Sequence, residues 1–288
     1  MNNEKTWVLG LAASAVVLLL AASLTGILLD DGGQRYHFSS LRGESVEIYG
    51  GEGLYQHDSL PKAVGFMGFD WANLFVAAPL FLFGGSLYRG GLLKGQVLLA
   101  ALFAYLAYNY FIGVMGNAFN IMFLVWTALF SVGIFGLAIV LTGIDIPSFP
   151  GKLGDRFPRR SLSIYALFLG LFLLFSYLAE ILTAYGSGKP PASLGIYTTL
   201  ELAAFELGLM VPLHIVGGIL LWRRKAVGYL VVIVLVFTAM MTFMSLSISA
   251  LILYFRFDRG SAFDVAVPII LALVAAGFSA VIYRQIRR

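Results

Sequence analysis

Glu201, Glu206, Pro212 and His214 stand in one apolar stretch, 197–222, which is long enough to cross a bilayer. A carboxylate inside a membrane helix is costly to bury. It faces a cavity or a partner, and marks a functional site by default. Carboxylate and imidazole at this spacing suit proton or cation binding, hydrogen bonding to a small ligand, or acid–base work on a lipid headgroup. Pro212 lies between Glu206 and His214, where it removes one backbone hydrogen bond and frees a carbonyl. Pro79 and Pro268 hold comparable places in other apolar stretches.

Several chemistries are excluded. The chain has no Cys, so disulfides, thiolate zinc sites and Cys nucleophiles are ruled out. His214 is the sole histidine in an apolar stretch, and no second His or Glu stands at ligand spacing from it, so no metal is expected. Haem held by two intramembrane histidines is excluded by the same count. His37 and His57 belong to a polar loop. There is no P-loop, no G-x-S-x-G elbow and no Lys within an apolar run for a Schiff base, so no cofactor is expected.

The elements that position these residues are membrane helices. Of 288 residues, 60% are hydrophobic and 12% charged, against about 25% charged in a soluble domain. The apolar residues fall in eight runs, near 7–29, 64–88, 96–114, 119–142, 161–185, 197–222, 227–254 and 265–284. The first follows Lys5 and outlasts a signal-peptide core, so it reads as a helix. The sequence predicts an all-α integral membrane protein, one membrane domain over 1–288. Its outer loop is 30–63 and its cytoplasmic linker 143–160. In the outer loop, β-prone stretches around Tyr36–Phe38 and Ser45–Tyr49, separated by Gly and Ser, suit a short hairpin or a cap over the helices. The turn between the third and fourth helices falls at Gly116–Asn117, with Asn117 and Asn120 also compatible with a re-entrant bend.

Basic residues set the orientation. Six of the nineteen Lys and Arg residues (Arg35, Arg42, Lys62, Lys189, Arg256 and Arg259) fall on one side, and the rest on the side of both termini. The positive-inside rule places the termini in the cytoplasm of a cell membrane. The same clustering between apolar blocks explains the net charge of +4 without nucleic acid as a partner. The expected partners are the bilayer and a small molecule, ion or lipid.

Orientation places Asp70, Asn73, Asn109, Glu180, Glu201 and Glu206 in the outer half of the bilayer, with His214 deeper. One outward-facing polar cavity lined by the second, third, fifth, sixth and seventh helices accounts for that agreement, with Glu180, Asp70 and Asn109 as the nearest partners of Glu206. Ser176, Glu180 and Thr183 form one stripe, and Thr238, Thr242, Ser245 and Ser249 another. The glycine pairs 84–85 and 217–218 read as close-packing points. No sequence repeat is evident between the two four-helix halves.

Several stretches resemble an uncharacterised family of bacterial multi-pass membrane proteins. They are Gly53-Leu54-Tyr55 with Gly68-Phe69-Asp70, and Tyr108-Asn109-Tyr110 with Gly116-Asn117-Ala118-Phe119-Asn120. Glu206-Leu207-Gly208-Leu209 before Val211-Pro212-Leu213 also matches, as does Gly228-Tyr229-Leu230. The resemblance covers most of the chain from about residue 50. It implies a shared topology and a grouping of Asp70, Asn109, Asn117, Asn120 and Glu206, and it supplies no activity. A Lys expected near Phe237 in relatives is missing. The leading functional expectation is transport or binding of a small molecule or ion. A membrane enzyme acting on a lipid and an accessory subunit of a membrane complex are the alternatives.

Overall fold

The computed structural model describes residues 3–287. Among them, eight helices are long and apolar enough to cross a bilayer, and the chain is an all-α multi-pass membrane protein. They are α1 (Asn3–Leu28), α2 (Leu60–Arg89), α3 (Leu93–Gly116), α4 (Phe123–Thr142), α5 (Arg159–Ser187), α6 (Glu201–Trp222), α7 (Ala226–Phe257) and α8 (Ala262–Gln285). Between α1 and α2, strands β1 (Tyr36–Ser39) and β2 (Ser45–Ile48) pair antiparallel, Tyr36 opposite Ile48. Eight spans put α1's start and α8's end on one face, the terminal side; the opposite face is the hairpin side.

Two boundaries differ from expectation for local reasons. Helix α4 begins at Phe123 rather than near 119, because the Asn120 side chain accepts the Met122 N–H (2.9 Å) and holds a turn. Helix α6 begins at Glu201 rather than 197. The preceding segment is held in a loop, with the Tyr197 hydroxyl donating to Asp58 (2.7 Å).

Helices α2 and α6 share an irregularity. Each contains one π turn, Asn73–Ala77 and Glu206–Met210, where the first N–H of the resumed helix donates to a carbonyl five residues back. In each, a proline follows as the second residue of the resumed helix, Pro79 and Pro212. Proline lacks an N–H and its ring crowds the preceding turn, so a widened turn relieves both demands.

The likeness extends through the next helix and reveals a repeat that was not evident in the sequence. At one constant offset, Asn73, Pro79, Gly84, Gly85 and Gly95 correspond to Glu206, Pro212, Gly217, Gly218 and Gly228. The turns match bond for bond. Leu92 N–H donates to Leu87 O as Lys225 N–H does to Leu220 O, and Gly91 and Arg224 both take positive φ. A Cβ on Gly95 would overlap the backbone of Leu87 and Tyr88; on Gly228 it would overlap Leu220 and Leu221. Gly84 packs on Leu98 and Leu99, and Gly217 on their counterparts Val231 and Val232. The α2–α3 and α6–α7 hairpins are therefore two copies of one unit. Both run in the same direction through the membrane, as in parallel repeats related by an axis along the membrane normal.

The copies meet at two equivalent junctions. Gly68 of α2 lies against Ser249 of α7, too close for a Cβ. The same offset converts this pair into Glu201 of α6 against Gly116 of α3, which is equally tight. Small residues at such crossings let backbones approach where no hydrophobic drive exists between helices. The Ser249 hydroxyl adds a hydrogen bond to Gly65 O (3.1 Å). Phe111 of α3 stacks on Phe205 of α6 at 4.3 Å.

The flanking helices break the symmetry. Helix α1 packs along its length through Val8, Ala12, Ala15, Leu19, Ala22 and Gly26. Helix α5 is buried mainly in its first half, through Leu162, Tyr165, Ala166, Leu169 and Gly170. Beyond Gly170 it stands away from the bundle, with Phe172 and Phe175 exposed. That divergence leaves space beside α6 and α7.

Candidate functional site

A cavity of about 290 Å³ lies in that space, bounded by α2, α3, α5, α6 and α7. These are the five helices that orientation singled out, but the walls are mostly apolar. Leu169, Leu173, Ile112, Leu235, Phe243 and Met210 supply much of the lining. Its polar groups are Glu206 and His214 from α6, Tyr108 from α3, Tyr177 from α5, Thr238 and Thr242 from α7, and Lys62 from α2.

The geometry leaves three of these groups short of partners. Glu206 is 4% exposed, and its Oε1 accepts the Tyr108 hydroxyl at 2.6 Å, while Oε2 has no partner among the described residues. His214 Nδ1 lies 2.8 Å from Met210 O. A carbonyl only accepts, so Nδ1 carries the proton and Nε2 presents a lone pair, also without a partner. The Thr238 hydroxyl is buried and lacks a partner too. A buried polar atom left unpaired costs about 1–3 kcal/mol, and three residues lining this one cavity each carry such an atom. The π turn at Glu206–Met210 separates the acid from the histidine along α6 while both line the cavity.

The other expected site residues are distributed elsewhere. Asp70 accepts the Tyr55 hydroxyl at 2.5 Å and lies against Gly26 of α1, where any Cβ would overlap its carboxylate. Asn73 accepts the Tyr105 hydroxyl (2.8 Å) and donates to the Tyr110 hydroxyl (3.2 Å). Depth along a helix is legible from sequence, whereas the direction a residue faces depends on its neighbours. Asp70 and Asn73 therefore share depth with Glu206 but not the cavity. Glu180 accepts the Ser193 N–H at 2.8 Å near the end of α5 and does not line the cavity. Ser176 and Thr183 are exposed and bond back to their own helix. Asn109 is buried with neither amide atom partnered among the described residues, and the half-buried Asn117 is likewise unpartnered. Asn120 serves the turn before α4.

Glu201 belongs to a cluster at the hairpin-side end of the cavity. Lys62 pairs with the Glu201 carboxylate, donates to Gly116 O at 2.8 Å and sits 4.1 Å over the Tyr197 ring. Beside it Asp58 is fully buried and accepts from Ala118 N–H (2.8 Å) and the Tyr197 hydroxyl. Burial pushes the Asp58 carboxyl up to about 6, against the pull of Ala118, Tyr197 and Lys62. The β-hairpin closes over this cluster. Arg42 donates to Gly195 O (2.7 Å) and Tyr197 O (3.1 Å), and Glu47 pairs with Arg259 (2.8 Å) beyond the end of α7. Arg256 grips Asp30 after α1.

Sequence reasoning missed Asp58, Lys62, Tyr108 and Tyr177 as site residues. Tyr177 had a legible signal, since Leu169, Leu173 and Tyr177 recur at helical spacing. Among the described residues, no group of three or more His, Asp or Glu gathers as metal ligands would. Family models, curated proteins and solved structures give no match to this chain.

Proposed function

We propose that this chain binds and carries a small molecule with an apolar body and a hydrogen-bond-donating head, at the Glu206 cavity. The observation that carries the reading is that Glu206, His214 and Thr238, each with a buried polar atom unpartnered among the described residues, line one otherwise apolar cavity. Ligand sites of this type are apolar with a few convergent polar groups. Transport is supported by the repeat, because carriers built from repeats hold substrate at the repeat interface beside interrupted helices. The cavity lies between the two copies, beside the π turn of α6. Orientation in a cell membrane with cytoplasmic termini, inferred from the basic residues, would put Glu206 in the outer half.

The test uses benzylamine and benzyl alcohol as probes, with thermal unfolding of the purified protein as the readout. Both are expected to raise the melting temperature of the unmodified protein. Thr238→Tyr should abolish the rise by filling the cavity. Equal shifts in both proteins would overturn the reading. A second reading, acid–base chemistry on a lipid, is favoured by Glu206 and His214 lining one cavity. It requires purified protein to change the composition of a reconstituted lipid extract, and an unchanged extract would remove it.

A further inference from the structure

The cavity does not end at its own walls. A groove of about 400 Å³ runs along the lipid-facing side between α2, α5, α7 and α8. Pro61, Gly65, Phe243 and Leu246 line both spaces, so the two adjoin. Helices α5 and α8 meet through Tyr165 and Phe278, whose rings lie 5.1 Å apart in the terminal-side half. From there they diverge, with Phe172 on one wall of the groove and Pro268 and Leu271 on the other. Gly65 lies on this shared boundary, and nothing lies within 4 Å of where its Cβ would stand.

From this we infer that the ligand is a single-chain amphiphile, a long-chain amine or alcohol, which enters sideways from the lipid between α5 and α8. The inference rests on reading the Glu206 cavity as a ligand site and adds the class of ligand and its route. The head is fixed by the acceptors. As a carboxylate Glu206 accepts through Oε2, and as a neutral ring His214 accepts through Nε2 while Nδ1–H is held by Met210 O, so a donating head satisfies both. The chain is accounted for by the walls. A molecule leaving Glu206 toward the groove would pass Phe243 and Leu246, apolar residues that line both spaces. The polar cluster of Lys62, Glu201, Tyr197 and Asp58 lies at the hairpin-side end, and the groove's own Arg259, Ser261 and Asp264 stand at the α7–α8 turn on that same side, so the apolar part of the lateral route is the stretch past Phe243, Leu246 and Leu271.

The experiment uses the full chain in lipid nanodiscs with hexadecylamine bearing a photoactivatable diazirine at mid-chain, and peptides mapped after irradiation. Labelling is expected on segments containing Phe243 and Leu246, and excess unlabelled hexadecylamine should reduce it at least tenfold. Gly65→Leu, which places a side chain in open space, should reduce it similarly, and Gly65→Ala should change it little. Labelling that neither competitor nor Gly65→Leu diminishes is ordinary lipid contact and overturns the inference. Retained benzylamine stabilisation without saturable labelling overturns the amphiphile and its lateral route but leaves the cavity as a ligand site. Loss of both overturns both. Competition on the unmodified protein keeps the test decisive even if Gly65→Leu does not fold.

Discussion

The Asn73 region of α2–α3 and the Glu206 region of α6–α7 occupy the same place in two copies of one helical hairpin. In the first copy the place is filled. Tyr105 reaches from α3 to Asn73, Tyr110 completes the amide, and Phe81 packs edge-on against Phe103 at 5.2 Å. In the second copy the counterparts of Asn73, Phe81 and Tyr105 are Glu206, His214 and Thr238. A phenol has become a short hydroxyl and a phenyl ring an imidazole, and these three polar residues line the cavity. The backbone, π turn, proline and glycine contacts are kept. At three equivalent places on one scaffold, one copy carries side chains that pack the space and the other carries side chains that line a cavity. The flanking helices reinforce the difference, since α1 seals the first copy and α5 leaves the second open toward lipid.

The comparison can be broken by making the filled copy resemble the open one. Tyr105→Thr should cost about 3–5 kcal/mol, because it empties a fully buried ring position and strands Asn73. A melting temperature close to that of the unmodified protein would deny that Tyr105 fills the counterpart of the cavity. The shared scaffold gives a paired test. Gly95→Ala and Gly228→Ala each force a Cβ into the backbone of the preceding helix, at about 3 kcal/mol apiece. Similar losses in the two support equivalence, and a loss at one position alone would show that the turns carry different loads.

The clamp between the copies on the hairpin side should respond to pH. Asp58 joins Ala118, after the first copy, to Tyr197, before the second. Its carboxyl is raised by burial to about 6, from an ordinary value near 4. The folded state thus holds the proton more tightly than the unfolded chain. The stabilisation is fully present below about pH 4 and is lost as pH rises through 6, on the order of 3 kcal/mol. Unfolding measured from pH 4 to 7 should show this decline, and Asp58→Asn should remove it while keeping an oxygen acceptor for both donors. A decline of the same size in Asp58→Asn would assign it to other groups. The smallest effect is expected from Glu206→Gln, under about 1 kcal/mol in stability, because the Tyr108 hydroxyl keeps an oxygen acceptor. A large loss there would make Glu206 a structural partner rather than a ligand group.

Much of this architecture was legible in the sequence. The eight runs, the even number of crossings and the small hairpin follow from apolar length, basic residues and β-prone alternation. The azimuth of each helix does not follow, which is why Asp70, Asn73 and Glu206 share a depth yet face different neighbours. The repeat was concealed for a related reason. Lipid-facing and core positions accept Leu, Val, Ile, Phe and Ala almost interchangeably, so identity survives mainly at Pro79 and Pro212, the glycine pairs, and Gly95 and Gly228. The glycine pairs were visible as close-packing points, but their equivalence emerged only from the contacts around them. His214 was recognisable as a polar residue in an apolar helix. Its place beside the Glu206 cavity follows from the arrangement of α5, α6 and α7, which spacing along α6 alone does not specify.

The most direct measurement is the unfolding temperature of Thr238→Tyr in ligand-free detergent. If the cavity is the counterpart of the place Tyr105 fills, a tyrosine at position 238 should fill it, and its hydroxyl should reach Glu206 as Tyr105 reaches Asn73. A melting temperature above that of the unmodified protein is expected. A fall of several degrees would contradict it, showing that the second copy cannot accept the packing of the first and that the cavity arose some other way.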